Sequence, residues 1–147
     1  IGFFQASIEK VVALAVLMPI VASMGGNAGT QTLTVSVRAL ATKELTASNA
    51  LKIIIKETFV GGINGLIFAF IIGILSSYWF SDYLLGLVIS MAMILNLIIA
   101  GLSGILIPIT LNKFKIDPAL ASGVILTTIT DVFGFLSFLG LASILLI

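Results

Sequence analysis

The stretch Thr127–Phe135, TTITDVFGF, sets an acid near the middle of an otherwise apolar segment running from about Pro118 to Ile147. Roughly 20 residues at about 1.5 Å each cross the hydrocarbon core of a bilayer, so this segment reads as a membrane-spanning helix with Asp131 close to the midplane. A carboxylate there costs on the order of 3 kcal/mol or more unless it faces protein or water. Asp131 is therefore a functional-site candidate; the alternative is a protonated acid bonded to a neighbouring helix as packing. At about 100° per residue, Thr127, Thr128, Gly134 and Phe135 share its face, giving the acid hydroxyls one turn before it and a small residue beyond.

Composition agrees with a membrane setting. Of 147 residues, 60% are hydrophobic and 9% charged, with a mean hydropathy of +1.30. That balance describes an all-α integral membrane protein, not a soluble domain. A net charge of +1, with the basic residues dispersed, argues against nucleic acid as a partner. There is no Cys for a disulfide or thiolate and no His as general base or transition-metal ligand. The opening IGFFQASIEK has no basic leader before an apolar run and no Met, so it is not a signal peptide, and the chain reads as part of something longer.

Four spanning helices are expected at about 8–40, 57–80, 83–112 and 118–147, with a short interfacial helix at about 46–56. In that short helix Leu51, Ile54 and Ile55 recur at helical spacing, and Lys52 and Lys56 suit lipid headgroups. Arg38, Lys43, Lys52 and Lys56 flank one connection and Lys113 and Lys115 another, whereas Ser76–Asp82 has no basic residue. The positive-inside rule puts the basic connections in the cytoplasm and both ends of the chain outside, with Lys10 alone on the wrong side. Tyr78, Trp79 and Tyr83 would form an aromatic belt at the outer surface.

The first segment turns polar in its second half, at Met24–Gln31, MGGNAGTQ. Its glycines permit close backbone approach or departures from the helix, and Pro19 removes a backbone bond and could kink it. If it stays helical, Ser23, Asn27, Gln31, Thr34 and Arg38 lie within about 40° of Asn27 at about 100° per residue, a polar stripe along one face. The competing account is helix packing through small residues, with the amides bonded across the interface.

Elsewhere the motifs read as structure. Gly61, Gly65, Ala69, Gly73 and Ser77 recur every four residues, a small-residue stripe for tight packing. Asp82 and Asp117 precede helices as N-caps, the second followed by Pro118 in the first turn. Asn96, with Gly101, Ser103, Gly104 and Pro108 after it, should bond to a neighbouring helix, and Glu57 should be paired or interfacial rather than ion-binding. Catalysis finds little support: GLSG at Gly101–Gly104 only loosely resembles a rhomboid serine motif, no His could serve as its base, and one midplane Asp makes no dyad.

Two runs, PIVASMGGNAGTQTLTVSVRALATKEL (Pro19–Leu45) and DPALASGVILTTITDVFGF (Asp117–Phe135), resemble the MgtE family of magnesium channels. The resemblance covers essentially the whole chain, as the second to fifth helices of a five-helix membrane domain. It implies a homodimer in the cell membrane, with a pore between subunits lined by the helices that carry the two motifs. It implies that Asp131 and Asn27 hold hydrated Mg²⁺ and that Asp117, besides capping, lies at the cytoplasmic mouth as a further Mg²⁺ contact. It further implies a preceding helix and cytoplasmic regulatory domains outside this chain. The residues suit that cargo: Mg²⁺ prefers octahedral oxygen and gives up water reluctantly, which calls for few carboxylates and many neutral outer partners. Asn27, Thr127 and Thr128 are such partners, with Ser23, Gln31 and Thr34 further along the pore lining. Mn²⁺, Co²⁺ or Ni²⁺ could also pass, because oxygen sites separate hydrated divalent ions weakly. An exchanger coupled to H⁺ or Na⁺ through Asp131 remains the alternative to a channel.

Overall fold

The computed structural model describes residues 2, 5, 12–46 and 48–146, with the side chains of 120 and 121 excepted. Four helices follow one another: α1 (Ala13–Ala41), α2 (Ala50–Phe80), α3 (Tyr83–Lys113) and α4 (Pro118–Leu145). Each is long and apolar enough to cross a membrane. Residues 8–11, expected to begin the first helix, lie outside the described residues, as does Lys10.

The chain reverses between α2 and α3 through Ser81 and Asp82 alone, which makes those two helices an antiparallel hairpin. Ser81 takes a left-handed conformation (φ 52°), and Asp82 then caps α3 by accepting from Leu84 N at 3.0 Å and Leu85 N at 3.3 Å. The Asp117 carboxylate caps α4 in the same way, accepting from Ala119 N at 3.0 Å with Pro118 in the first turn. Both caps follow the sequence expectation.

The third helix is the centre of the bundle. It packs against each of the other three; α1 also packs on α4, α1 barely meets α2, and α2 and α4 do not meet. The apolar core is gathered in one half of the bundle, where Leu14, Leu17, Val88, Ile89, Met93 and Phe138 are buried together. The other half, which carries Arg38, Lys43, Lys56 and Lys113, is more open.

The four-residue stripe of α2 makes the closest contact. Gly61, Gly65, Ala69 and Gly73 are buried, and a Cβ on Gly61 would stand 2.8 Å from the Leu97 carbonyl oxygen of α3. Backbone there cannot step aside as a flexible side chain can, so glycine is required. Ser77 and Ser90 close the seam: Ser77 Oγ donates to Gly73 O at 2.8 Å, and Ser90 Oγ lies 2.9 Å from Ala69 O across the interface and 2.7 Å from Gly86 O on its own helix. The aromatic side chains Tyr78, Trp79 and Tyr83 at this end are exposed, as a belt at a lipid interface would be.

One expectation is corrected and one open point is answered. The interfacial helix at 46–56 is not separate: α2 begins at Ala50 and runs unbroken to Phe80, because no Gly or Pro stands between Ala50 and Val60 to stop it. Before it, Asn49 ties the turn together, its Oδ1 accepting from Thr46 N at 2.7 Å and its Nδ2 donating to Glu44 O at 2.8 Å. The glycines of Met24–Gln31 cause no departure from helix either; α1 continues through them and through Pro19.

Candidate functional site: the polar face of α1 and α4

The stripe expected on α1 lies on the outside of the bundle. Ser23, Asn27, Gln31 and Thr34 are all exposed, and so are Thr127 and Thr128 on α4, while Asp131 is half-buried beside them. The helices run antiparallel, with Ala22 against Gly134 and Gly29 against Leu126. That register sets Asn27 level with Thr128 and puts Asp131 only about 4 Å further along the axis, at about 1.5 Å per residue. The sequence-predicted groups of the two helices are thus brought to one depth, midway along both spans. Ser23 continues the face into a shallow groove of about 370 Å³ shared with Pro19, Ile20 and Met24. Asp117 is not brought to the same place, since 14 residues of α4 separate it from Asp131 by about 21 Å.

The hydroxyl groups on this face have their protons committed. Thr127 Oγ1 donates to Gly123 O and Thr128 Oγ1 to Val124 O, both at 2.8 Å. On α1, Thr30 Oγ1 donates to Gly26 O at 2.7 Å and Thr34 Oγ1 to Thr30 O at 2.9 Å. A hydroxyl has one proton and two lone pairs, so once it donates back into its own helix it presents only acceptors outward. With the Asp131 carboxylate and the side-chain carbonyl oxygens of Asn27 and Gln31, the threonine oxygens make the face rich in acceptors, alongside the N–H groups of the two amides and the Ser23 hydroxyl. Such a surface suits the outward-pointing hydrogens of waters bound to a cation. Thr30 was not singled out from sequence; its signal was its spacing, one turn before Thr34.

Behind the face stands Asn96 of α3, fully buried. Its Nδ2 donates to Val21 O of α1 at 3.0 Å, which gives the expected bond to a neighbouring helix, and its Oδ1 has no partner. The amide lies between two glycines: a Cβ on Gly134 would fall 2.9 Å from Nδ2, and one on Gly25 would collide with the same group. Asn96 therefore sets how closely α1 and α4 approach directly behind Asn27 and Asp131. A bond from Asn96 to a neighbouring helix was expected, but its place between Gly25 and Gly134 was not, because periodicity locates a face without naming its neighbour. Gly134, expected on the Asp131 face, is instead turned inward against Asn96.

Among the described residues no three His, Cys, Asp or Glu side chains gather. A cation on this face would meet one carboxylate per chain and otherwise neutral oxygens, an arrangement for a hydrated ion rather than a stripped one.

Known proteins are similar to this chain in sequence. Residues 18–141 match the family model MgtE, described as a divalent cation transporter. The chain is 39% identical over 143 residues to a protein named magnesium transporter MgtE from Bacillus subtilis, an alignment covering 97% of this chain and 32% of that protein. Proteins of the same name from Enterococcus faecalis and Thermus thermophilus are each 36% identical over the same shares. The chain thus spans about a third of the length of these relatives. Four apolar spans, a polar face at mid-depth and a family match over most of the sequence make one conclusion: this is a multi-pass membrane protein that belongs to the MgtE divalent cation transporter family.

Proposed function

We propose that this chain is the membrane part of a magnesium channel of the cell membrane, carrying hydrated Mg²⁺ along the polar face of α1 and α4. One observation carries the reading: the acceptor-rich face with the midplane carboxylate is left uncovered by the chain's own helices. Polar groups at that depth cannot face lipid without a penalty of several kcal/mol, on the order of 3 for the carboxylate alone, so protein or water must cover them. A second copy related by a two-fold axis meets both needs. It would oppose its own face to this one, bring two Asp131 carboxylates to one axis to balance one dication, and enclose a water-filled path. Asn27, Thr127 and Thr128 would then hold the ion's waters, Ser23, Gln31 and Thr34 would line the approaches, and Asp117 would stand at the cytoplasmic mouth. Weak outer contacts of this kind let an ion enter and leave, as conduction demands.

Mg²⁺ uptake into proteoliposomes tests this. Asp131→Ala should abolish uptake while the protein stays folded, and Asp131→Asn should retain a residue of it, since the amide keeps size but not charge. Uptake by Asp131→Ala equal to the parent protein would overturn the pathway. Running the assay with and without a pH or Na⁺ gradient distinguishes a channel, indifferent to both, from an exchanger that uses Asp131 as its coupling site.

A further inference from the structure

The gap where α1 and α2 part company over α3 holds a cleft of about 200 Å³. Its walls are largely apolar, from Ala28, Val35, Val60 and Leu97, but four polar side chains also line it. Gln31 and Thr32 come from α1, Glu57 and Asn64 from α2, and the backbones of Gly61 and Gly101 bring α2 and α3 close beneath it. Glu57 and Asn64 are seven residues apart and so share a helix face. Glu57 is half-buried about 10 Å into α2 and has neither an ion pair nor a side-chain hydrogen bond among the described residues; Gln31 and Asn64 also lack side-chain hydrogen bonds there. Lys56 is next in sequence and lines an adjoining cavity with Glu44 and Glu57 itself, yet among the described residues it forms an ion pair with neither acid.

A half-buried carboxylate and two exposed amides thus stand around one open cleft without partners among the described residues, and all three can offer oxygen to a ligand. At about 200 Å³ it has room for several waters, as a cation that keeps its hydration shell needs. We propose that this cleft is a second site for a hydrated divalent cation, one per chain, with Glu57 supplying the charge and Gln31 and Asn64 accepting from the ion's waters. The inference rests on the reading of α1 and α4 as a Mg²⁺ pathway, because Gln31 belongs to both: it lies on the polar stripe and lines the cleft. An ion held at Glu57 sits beside the path, at the end of the bundle where the basic residues lie, and would raise the local supply of cation there.

Mn²⁺ is a suitable probe, being octahedral, oxygen-seeking and countable from the loss of its free paramagnetic resonance signal. In lipid nanodiscs Glu57→Gln should reduce bound Mn²⁺ by one ion per chain. Asp131→Asn should remove one ion per two chains, the double variant should lose both, and added Mg²⁺ should displace each. The neighbouring Glu44→Gln should change nothing. Asn64→Leu, which keeps the carboxylate and fills the cleft, should lose the same ion as Glu57→Gln, and it decides the matter if the latter fails to fold. Undiminished Mn²⁺ binding by Glu57→Gln overturns the cleft site and leaves the pathway standing. Undiminished binding by Asp131→Asn strikes the pathway instead. Loss in Glu57→Gln with retention in Asn64→Leu would move the ion out of the cleft, and that too overturns the proposal.

Discussion

The seam between α2 and α3 and the face shared by α1 and α4 are written in the same residues, glycine, serine, threonine and asparagine, and end in opposite states. In the seam the glycines are buried against backbone and the Ser90 hydroxyl lies within reach of carbonyls on both helices, so the hydroxyl is satisfied inside the chain. On the face the threonines bond only within their own helices and stay exposed, with lone pairs and a carboxylate looking outward. Small and polar residues in a membrane helix thus do not by themselves mark either packing or passage. What separates the two is whether the acceptors are satisfied inside the chain. The distinction predicts that changes in the seam act on folding, whereas changes on the face act on flux.

The largest effect that would break this comparison is at Gly61. A side chain there meets the Leu97 carbonyl oxygen at 2.8 Å. Gly61→Leu should force the hairpin apart and cost about 1–3 kcal/mol or more, the usual penalty for overpacking a tight site. The measurement is the denaturant midpoint in detergent beside Mg²⁺ uptake per folded molecule. The midpoint should fall by more than uptake per molecule that still folds, which can change only through the neighbouring cleft that Gly61 lines. A stable Gly61→Leu protein would mean that the seam is looser than its geometry.

How much of this contrast was legible beforehand differs between its two sides. The four-residue period of Gly61, Gly65, Ala69 and Gly73 declared the seam directly, and the caps at Asp82 and Asp117 marked where helices start. The stripe from Ser23 to Thr34 was equally visible as a face of one helix. Its antiparallel register with α4 was not, since that depends on Gly29 meeting Leu126 and Gly134 meeting Ala22, contacts between positions about a hundred residues apart in sequence. The start of α2 was misplaced because Lys52 and Lys56 look like the edge of a membrane span, although charge limits a span without stopping a helix. Glu57 was read as paired or interfacial, and no ion pair forms to it among the described residues. Its cleft needs α1 and α2 to diverge, which no local pattern encodes.

Asn96 joins the two regions, and its replacement should show an intermediate effect in both assays. Asn96→Leu removes the bond to Val21 O and pushes a branched side chain against Gly25 and Gly134. Loss of that bond alone should cost about 0.5–1.5 kcal/mol of stability. The spreading of α1 from α4 should also alter the path itself. Discrimination between Mg²⁺ and the larger Ca²⁺ is the sensitive readout, because a merely structural role would lower the amount of folded protein without changing that ratio. An unchanged ratio would confine Asn96 to packing.

The smallest effect gives the sharpest version of the contrast, because it deletes one hydroxyl on each side of it. Thr128→Val keeps shape and removes an acceptor from the face; Ser90→Ala removes the hydroxyl that bridges the seam. A single hydrogen bond is worth about 0.5–1.5 kcal/mol, which corresponds to roughly a two- to tenfold change in whichever equilibrium it supports. Thr128→Val should therefore lower Mg²⁺ uptake by that factor and leave the denaturant midpoint in place, since its proton only closed a bond within its own helix. Thr128→Ser should restore uptake, because the lone pairs return with the hydroxyl. Ser90→Ala should do the reverse, lowering the midpoint while sparing uptake per folded molecule. If Thr128→Val shifts stability as much as Ser90→Ala does, the hydroxyls of the face are serving packing, and the division between a satisfied seam and an unsatisfied face fails at its most local level.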